Sequence, residues 1–375
     1  MVRSTFVTSL AAIAVAVGLG LTGGSDASAQ AVKIAGNVPL TGPVAAFSGS
    51  LFKGFELGLE DGCKEQAVDC KQFKLDAQDN AEKPEQALSV IQKQLLDKPA
   101  VVVSGTSPSS NAIGPTVDPL GIPHFVIAFD AFITQKGKDR FRILPNFKIA
   151  PAAYFKYLDI KKPKKVFNVT LNISSIQDMF KLIIEPELKK RGIEFQTELY
   201  DFGNKDYSAI ALKARAFNPD MVIVEGFSFH VHPALKALRT YGLADKPGRV
   251  IAALDMVDLV YAKTPRDELK GIAFLIPDFE LAGKNPKAPE WRARFKAKYN
   301  SDPTYVEAYA YDTARVIVAA YKKAGKVDTA SILSVMPFDG LIGKIELDQD
   351  RDIKGSISLA IFNDKGEIEE VKAGM

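Results

Sequence analysis

Histidine and cysteine are scarce in this chain of 375 residues, three of the first and two of the second. His230 and His232 are spaced by two, with no H-E-x-x-H pattern and no cysteine at ligand spacing, so no metal site is expected. A net charge of +3, with Lys and Arg scattered among nearly as many acids, makes no case for nucleic acid. Several enzyme signatures are also absent. No loop ends in Gly-Lys-Ser/Thr, no G-x-G-x-x-G follows a strand, and no G-x-S-x-G elbow occurs. No nucleophile–base pair has a recognisable spacing, so neither an enzyme nor a cofactor is expected. Beyond the N-terminus, no stretch approaches 18 uninterrupted apolar residues, which excludes a later membrane-spanning helix.

The N-terminus itself has a composition of its own. Arg3 precedes an apolar run from Val7 to Leu21, and Ala27-Ser28-Ala29 offers a small-x-small cleavage site. Residues 1–29 are therefore expected to be a signal peptide, and the exported chain to begin near Gln30. An exported chain with two closely spaced cysteines suggests a Cys63–Cys70 disulfide. Phe52, Phe55, Leu59 and Cys63 step by three, four and four, so Cys63 lies on the buried face of a helix. Cys70 lies just before the next strand, and a bridge would tie the helix end to it.

From Val32 the chain alternates short β-branched runs with amphipathic segments. "VKIAGNV", "FKLDAQD", "AVVVSG" and "HFVIAF" read as strands, separated by helices over "SLFKGFELGLEDG", over "PEQALSVIQKQLLDK" and from about Ser109. After "LPNFKIAP" the alternation restarts with "KVFNVTL", a helix from Ile176 closed by Gly192, "FQTELYDF", "YSAIALKARAF" and "MVIVEG". "HPALKALRTYG" predicts a helix from His232, followed by strands over "RVIAAL" and "GIAFLIP". Helices near 288–299 and 304–324 precede a strand-rich tail. Two successive βαβ runs imply an α/β protein with two doubly wound parallel-sheet lobes and a cleft between them.

Ligands of open α/β sheets bind beyond the carboxyl ends of the strands. Those ends present Thr41, Gly42, Pro43 and Phe47, then "SGTSPSSN", then "AFDAF", and later Asn172, Ser174, Ser175, Phe227, Ser228, Asp255 and Met256. Ser107, Ser109 and Ser110 fall where a helix start presents unpaired N–H groups, which suits a carboxylate. An ordinary helix cap is the competing reading of the same serines. Asp76 and Asp79, after the second strand, read as solvated or capping acids.

These segments together resemble the periplasmic substrate-binding proteins of branched-chain amino-acid-type ABC transporters, which have the type I two-lobe fold. The markers are "VPLTGPVAAFSGSLFKGFELGLED", "DNAEKPEQALSVIQKQLL", "SGTSPSSNAIGP", "DFGNKDYSAIALKARAFNPDMVIVEGF" and "VEAYAYDTARVIVAAYKKAG". The resemblance implies a three-segment hinge, with crossings near Asn146, Pro277 and Ser356. Lobe 1 would comprise 31–146 and 278–356, and lobe 2 would comprise 147–277 and 357–375. By position, Phe47 would cover the ligand, and Ser107 to Ser109 would bind its carboxylate. Phe129, Asp130 and Ala131 would fall where the family completes that clamp. Ser175 and Phe227 would stand at two aromatic positions, and Asp255 at an acid that pairs with an α-ammonium group.

The family clamp usually reads Ser-Ala-x-Ser/Thr, whereas "AFDAF" has no hydroxyl, and Pro108 removes a backbone donor. The resemblance with these departures implies a wider, more apolar site lined by Phe47, Phe129, Phe132 and Phe227. The expected ligand is a small hydrophobic or aromatic carboxylate, with a branched-chain amino acid or amide as the alternative. The expected setting is the periplasm, as a monomer delivering to permease subunits of an inner-membrane ABC transporter. A ligand-sensing receptor subunit of the same fold is the competing role.

Overall fold

The computed structural model describes residues 31–42, 44–257, 263–281, 283–355 and 357–372; the side chains of Ala46, Phe47 and Asp255 are outside that description. The expected signal peptide and the Ser356 crossing also lie outside the described residues.

In the first half, β1 (Val32–Val38) leads through α1 (Ala45–Ser48) and α2 (Leu51–Gln66) to β2 (Phe73–Asp79). Then come α3 (Pro84–Leu95), β3 (Val101–Gly105), α4 (Ser107–Val117), β4 (His124–Ile127) and the two-residue β5 (Arg140–Phe141). These strands form one all-parallel sheet in the order β2-β1-β3-β4-β5. Every residue of β3 is buried, as expected of a strand covered on both faces.

The second half runs α5 (Ala150–Lys161), β6 (Lys165–Leu171), α6 (Ser174–Met179), α7 (Glu185–Lys190), β7 (Glu194–Tyr200), α8 (Ser208–Phe217) and β8 (Met221–Glu225). It continues with α9 (Ser228–Thr240), β9 (Val250–Ala252) and β10 (Ala273–Pro277). Helices α10 (Ala288–Tyr299), α11 (Tyr305–Ala324) and α12 (Thr329–Ser334) follow. A small sheet of β11 (Phe338–Asp339), β12 (Lys344–Leu347) and β13 (Ile353–Lys354) precedes β14 (Ile357–Phe362) and β15 (Ile368–Glu370). The second large sheet has the order β15-β14-β10-β9-β8-β6-β7. Its five central and far strands are parallel, whereas β14 and β15 add antiparallel at one edge. The fold is thus the expected α/β arrangement of two parallel-dominated sheets; of the strand-rich tail, β14 and β15 join the second, whereas β12 lies in the small third sheet.

Local chemistry explains the element ends. Pro84 opens α3 at its first turn, where its missing N–H costs nothing. Thr304 and Glu307 form a reciprocal capping box on α11, and Gly325 ends that helix with φ 70°. Helices α2 and α11 approach closely because Gly54 and Gly58 carry no Cβ. One added at either position would sit 2.2 Å from the carbonyl oxygen of Glu307 or Tyr311. Cys63 and Cys70 are disulfide-bonded with Cα atoms 5.4 Å apart, tying the end of α2 to the turn before β2.

Two helices depart from the sequence reading. The helix expected from Ile176 begins at Ser174 and is broken by a wide π turn at Phe180–Ile184. Pro186 follows that turn; it offers no N–H to residue 182 and its ring would crowd that carbonyl, which accounts for the widening. Helix α9 starts at Ser228, before the expected His232, and carries Pro233 inside it. The preference of proline for helix starts made the boundary look later than it is.

Candidate functional site

In the first sheet the strand order turns back between β1 and β3, and in the second between β6 and β8. At such switch points successive connections leave on opposite faces and open a crevice beyond the strand ends. One cavity of about 360 Å³ lies there, lined from both sheets. The first sheet contributes Glu82 after β2, Thr106, Ser107 and Pro108 after β3, and Phe129 after β4. Phe147 stands in the segment leading to α5. The second contributes Ile173, Ser175 and Ile176 after β6, Phe202 after β7, Glu225 to Phe227 at the end of β8, and Ala253 and Leu254 after β9.

The serine loop is held in an unusual backbone. Thr106, the residue before α4, has φ 64° and ψ 150°, a region populated almost only by glycine, at a cost on the order of 1–3 kcal/mol. Its side chain makes no cap bond to the helix. Ser107 Oγ accepts the backbone N–H groups of Phe129 at 3.2 Å and Asp130 at 3.0 Å. With its lone pairs occupied, that hydroxyl keeps its proton to donate. Ser107 therefore ties the β3 loop to the β4 loop while offering an O–H at the cavity wall. The N–H groups of the first turn of α4 have no partner within the helix, and Pro108 removes one of them. Helices α6 and α9 also begin at the cavity, at Ser174 and Ser228, so three positive helix ends converge on it.

Behind α4, Ser110 Oγ lies 2.7 Å from Ser104 Oγ, which lies 2.6 Å from His124 Nε2. His124 is fully buried, and that burial, with the nearby charge of Arg140, pushes its pKa down to about 3. It is a packed, neutral imidazole.

Not every expected residue reaches the cavity. Ser107, Phe129, Ser175 and Phe227 line it. Ser109 is fully buried outside the lining, its hydroxyl without a hydrogen-bond partner among the described residues. Asp130 and Ala131 are buried beside the lining and not part of it. The Asp130 carboxylate accepts from Asn111 at 2.8 Å, Lys136 at 2.9 Å and the Phe132 N–H at 2.9 Å. Burial pushes that carboxyl up, but these bonds outweigh it and hold it below the usual range. The side chains of Phe47 and Asp255 lie outside the described residues. Phe132 is half-buried against the core, so the aromatic lining among the described residues is Phe129, Phe147, Phe202 and Phe227.

The second-sheet wall is braced from behind. Phe227 stacks parallel to Phe229 with centroids 5.5 Å apart, and Phe202 meets both edge-on. His230, buried in α9, lies 2.7 Å from the Phe202 carbonyl through Nε2, and burial lowers its pKa. His230 and His232 are both buried residues of α9. Gly226 is required beside this cluster, since a Cβ there would fall 1.9 Å from Tyr200 Oη.

Two lining acids were missing from the sequence reading. Glu225 ends β8 at 2% exposure and accepts a hydrogen bond from the Tyr154 phenol. The Tyr200 phenol donates to the Glu225 carbonyl at 2.7 Å. Burial and the neighbouring Glu225 charge push the Tyr154 phenol far above its ordinary range. Burial likewise raises the Glu82 carboxyl, with the nearby Thr106 side chain only partly opposing it. A charged residue ending an otherwise apolar strand was the available sign of Glu225, because a buried acid needs a reason. No group of His, Cys, Asp and Glu among the described residues could hold a metal ion. None of the described helices is long and apolar enough to cross a membrane.

The fold has counterparts among solved structures. An isoleucine complex of the branched-chain amino acid transporter substrate-binding protein LivJ from Streptococcus pneumoniae superposes with TM-score 0.79 at 21% identity, covering 92% of this chain and 100% of that one. A solute-binding protein of an ABC transporter from R. palustris, solved with benzoate, gives TM-score 0.78 at 18% identity over 91% and 95%. By sequence, an amino acid binding protein of Pseudomonas aeruginosa is 25% identical over 99% of this chain and 100% of its own length. A family model of periplasmic binding proteins matches residues 31–365, and the chain belongs to that family.

Proposed function

We propose that this protein is exported by a signal peptide over residues 1–29. In the periplasm it would capture a small hydrophobic or aromatic carboxylate and deliver it to an ABC importer. The cleft would close by rotation of lobe 1 (31–146 and 278–356) against lobe 2 (147–277 and 357–375), removing the ligand from water. Ser107 carries the reading: its oxygen is saturated by two backbone N–H groups, and its remaining proton stands at the wall of a phenylalanine-lined cavity. A carboxylate accepts that proton and gains from the converging helix starts, while its hydrocarbon body takes the aromatic walls. The benzoate and isoleucine complexes of the two structural counterparts support a cleft of this type holding acids of either class.

Calorimetric titration of the mature protein with benzoate, phenylacetate, leucine, isoleucine and valine tests the reading. Aromatic acids should bind most tightly and raise the melting temperature by mass action. Tight binding of the branched-chain amino acids with none of the aromatic acids would overturn the ligand class. The amino-acid reading is favoured by one observation, the presence of Glu82 and Glu225 in the lining.

A further inference from the structure

The described lining of the cavity holds two carboxyl groups, Glu82 from the first-sheet side and Glu225 from the second, and no Lys, Arg or His. A plain hydrocarbon acid would bring a third carboxyl into this space with nothing but hydroxyls and helix ends to offset it. Neither Glu82 nor Glu225 stands at the Asp255 position.

Glu82 is put there deliberately by the backbone. Ala81 and Glu82 are successive non-glycine residues with φ 47° and 60°, both in the left-handed region. The turn is fastened on each side. Asp79 accepts the N–H groups of Leu40 at 2.8 Å, Thr41 at 3.2 Å and Ala81 at 2.9 Å. Asn80, fully buried, donates to Asn37 Oδ1 at 2.9 Å and accepts the Glu82 N–H at 3.0 Å. The Thr106 hydroxyl of the serine loop and Glu82 Oε2 are both buried without a hydrogen-bond partner among the described residues. Backbone strain is retained where surrounding contacts over-determine a functional position.

We propose that Glu82, with Glu225 from the other sheet, makes the cavity selective for acids that carry a second, hydrogen-bond-donating group. An amino or hydroxyl substituent would be preferred over a plain hydrocarbon acid of the same size. Such a ligand supplies the positive charge or the extra donor that the described lining does not direct at Glu82, whose Oε2 has no hydrogen-bond partner among the described residues. This selectivity rests on the carboxylate reading of the site.

Paired ligands test it on the mature protein: leucine against 4-methylpentanoate, and 4-hydroxybenzoate against benzoate, by calorimetry. The wild type should favour at least one donor-bearing member by about 10-fold or more, the scale of one hydrogen bond to a charged group. Glu82→Gln should bring the amino pair towards equality, since the charge is gone but an acceptor remains. Glu82→Leu should do the same to the hydroxyl pair, and both variants should bind the plain acids more tightly. A melting curve of each variant confirms folding, and Glu225→Gln provides a second variant from the opposite wall. Unchanged ratios in all three variants, or a wild type that prefers the plain member of both pairs, would sink the selectivity and leave carboxylate capture standing. Failure of every acid to bind the wild type would sink both.

Discussion

The two walls of the cavity are built on different principles. On the first-sheet side, polar groups sit on backbone that is bent out of ordinary conformations: Ala81, Glu82 and Thr106 all have positive φ without being glycine. Their positions are enforced by side-chain to backbone bonds from Asp79, Asn80 and Ser107. On the second-sheet side, Phe202, Phe227, Ile173, Ile176 and Leu254 stand on ordinary strand ends and helix starts, and packed rings brace them. The difference separates two tasks. Directional contacts need atoms fixed to fractions of an ångström, which strain and dense hydrogen bonding supply. Apolar area needs only to be present and dry, so good packing suffices. The first wall, with Glu225 opposite it, should therefore decide which ligand binds, and the apolar residues of the second how tightly any ligand binds.

The largest expected effect comes from Ser107→Ala. It removes a hydroxyl donor worth about 1.5–3 kcal/mol towards a charged ligand, or on the order of 10–100-fold in Kd. It also strips the acceptor from the Phe129 and Asp130 N–H groups, so the unliganded protein should melt earlier. Ser107→Thr, which keeps a hydroxyl, should restore most of the affinity. Calorimetry alongside melting curves separates the two losses. Full affinity in Ser107→Ala would remove the polar task from the first wall.

Phe227→Ala should cost less and act differently. Losing part of an aromatic wall at ~25 cal/mol per Å² removes about 1–2 kcal/mol of contact, roughly 10-fold in affinity. The loss should be similar for plain and donor-bearing acids, leaving their ratio unchanged. A changed ratio with little loss of affinity would erase the division between the walls.

Much of this frame was legible in the sequence. The bounds of β1 and β6 follow from runs of β-branched residues, and those of β2 and α10 also fall where the sequence places them. Ser107, Phe129, Ser175 and Phe227 were legible too, because ligands gather beyond strand ends and these residues come directly after them. Glu82 was not. It lies three residues past β2 and reaches the cavity only through two left-handed residues, a conformation no propensity predicts for Ala or Glu. Glu225 was hidden inside a strand, and Phe202 and Phe147 inside segments that read as a strand end and a connection. Asp130 misled in the opposite way: it follows β4 as a ligand residue would, yet Asn111 and Lys136 engage its carboxylate beside the cavity. Proximity along the chain gives a position, and partners from distant segments decide where the side chain goes.

The smallest effect probes the strain itself. An L-residue in the left-handed region costs about 1–2 kcal/mol, whereas glycine there gives back about 0.5–1 kcal/mol as extra chain entropy lost on folding. Ala81→Gly should therefore raise stability by up to about 1 kcal/mol, read as a higher urea midpoint at unchanged slope. Ala81 is not part of the cavity lining, so ligand contacts are untouched. The relaxed turn should nevertheless hold Glu82 less firmly, and the preference for donor-bearing acids should shrink as stability grows. A gain in stability with selectivity intact would mean that the hydrogen bonds of Asp79 and Asn80 alone fix the acid. A loss of stability would mean that the left-handed pair carries no strain, and the contrast between the two walls would then lie in polarity alone.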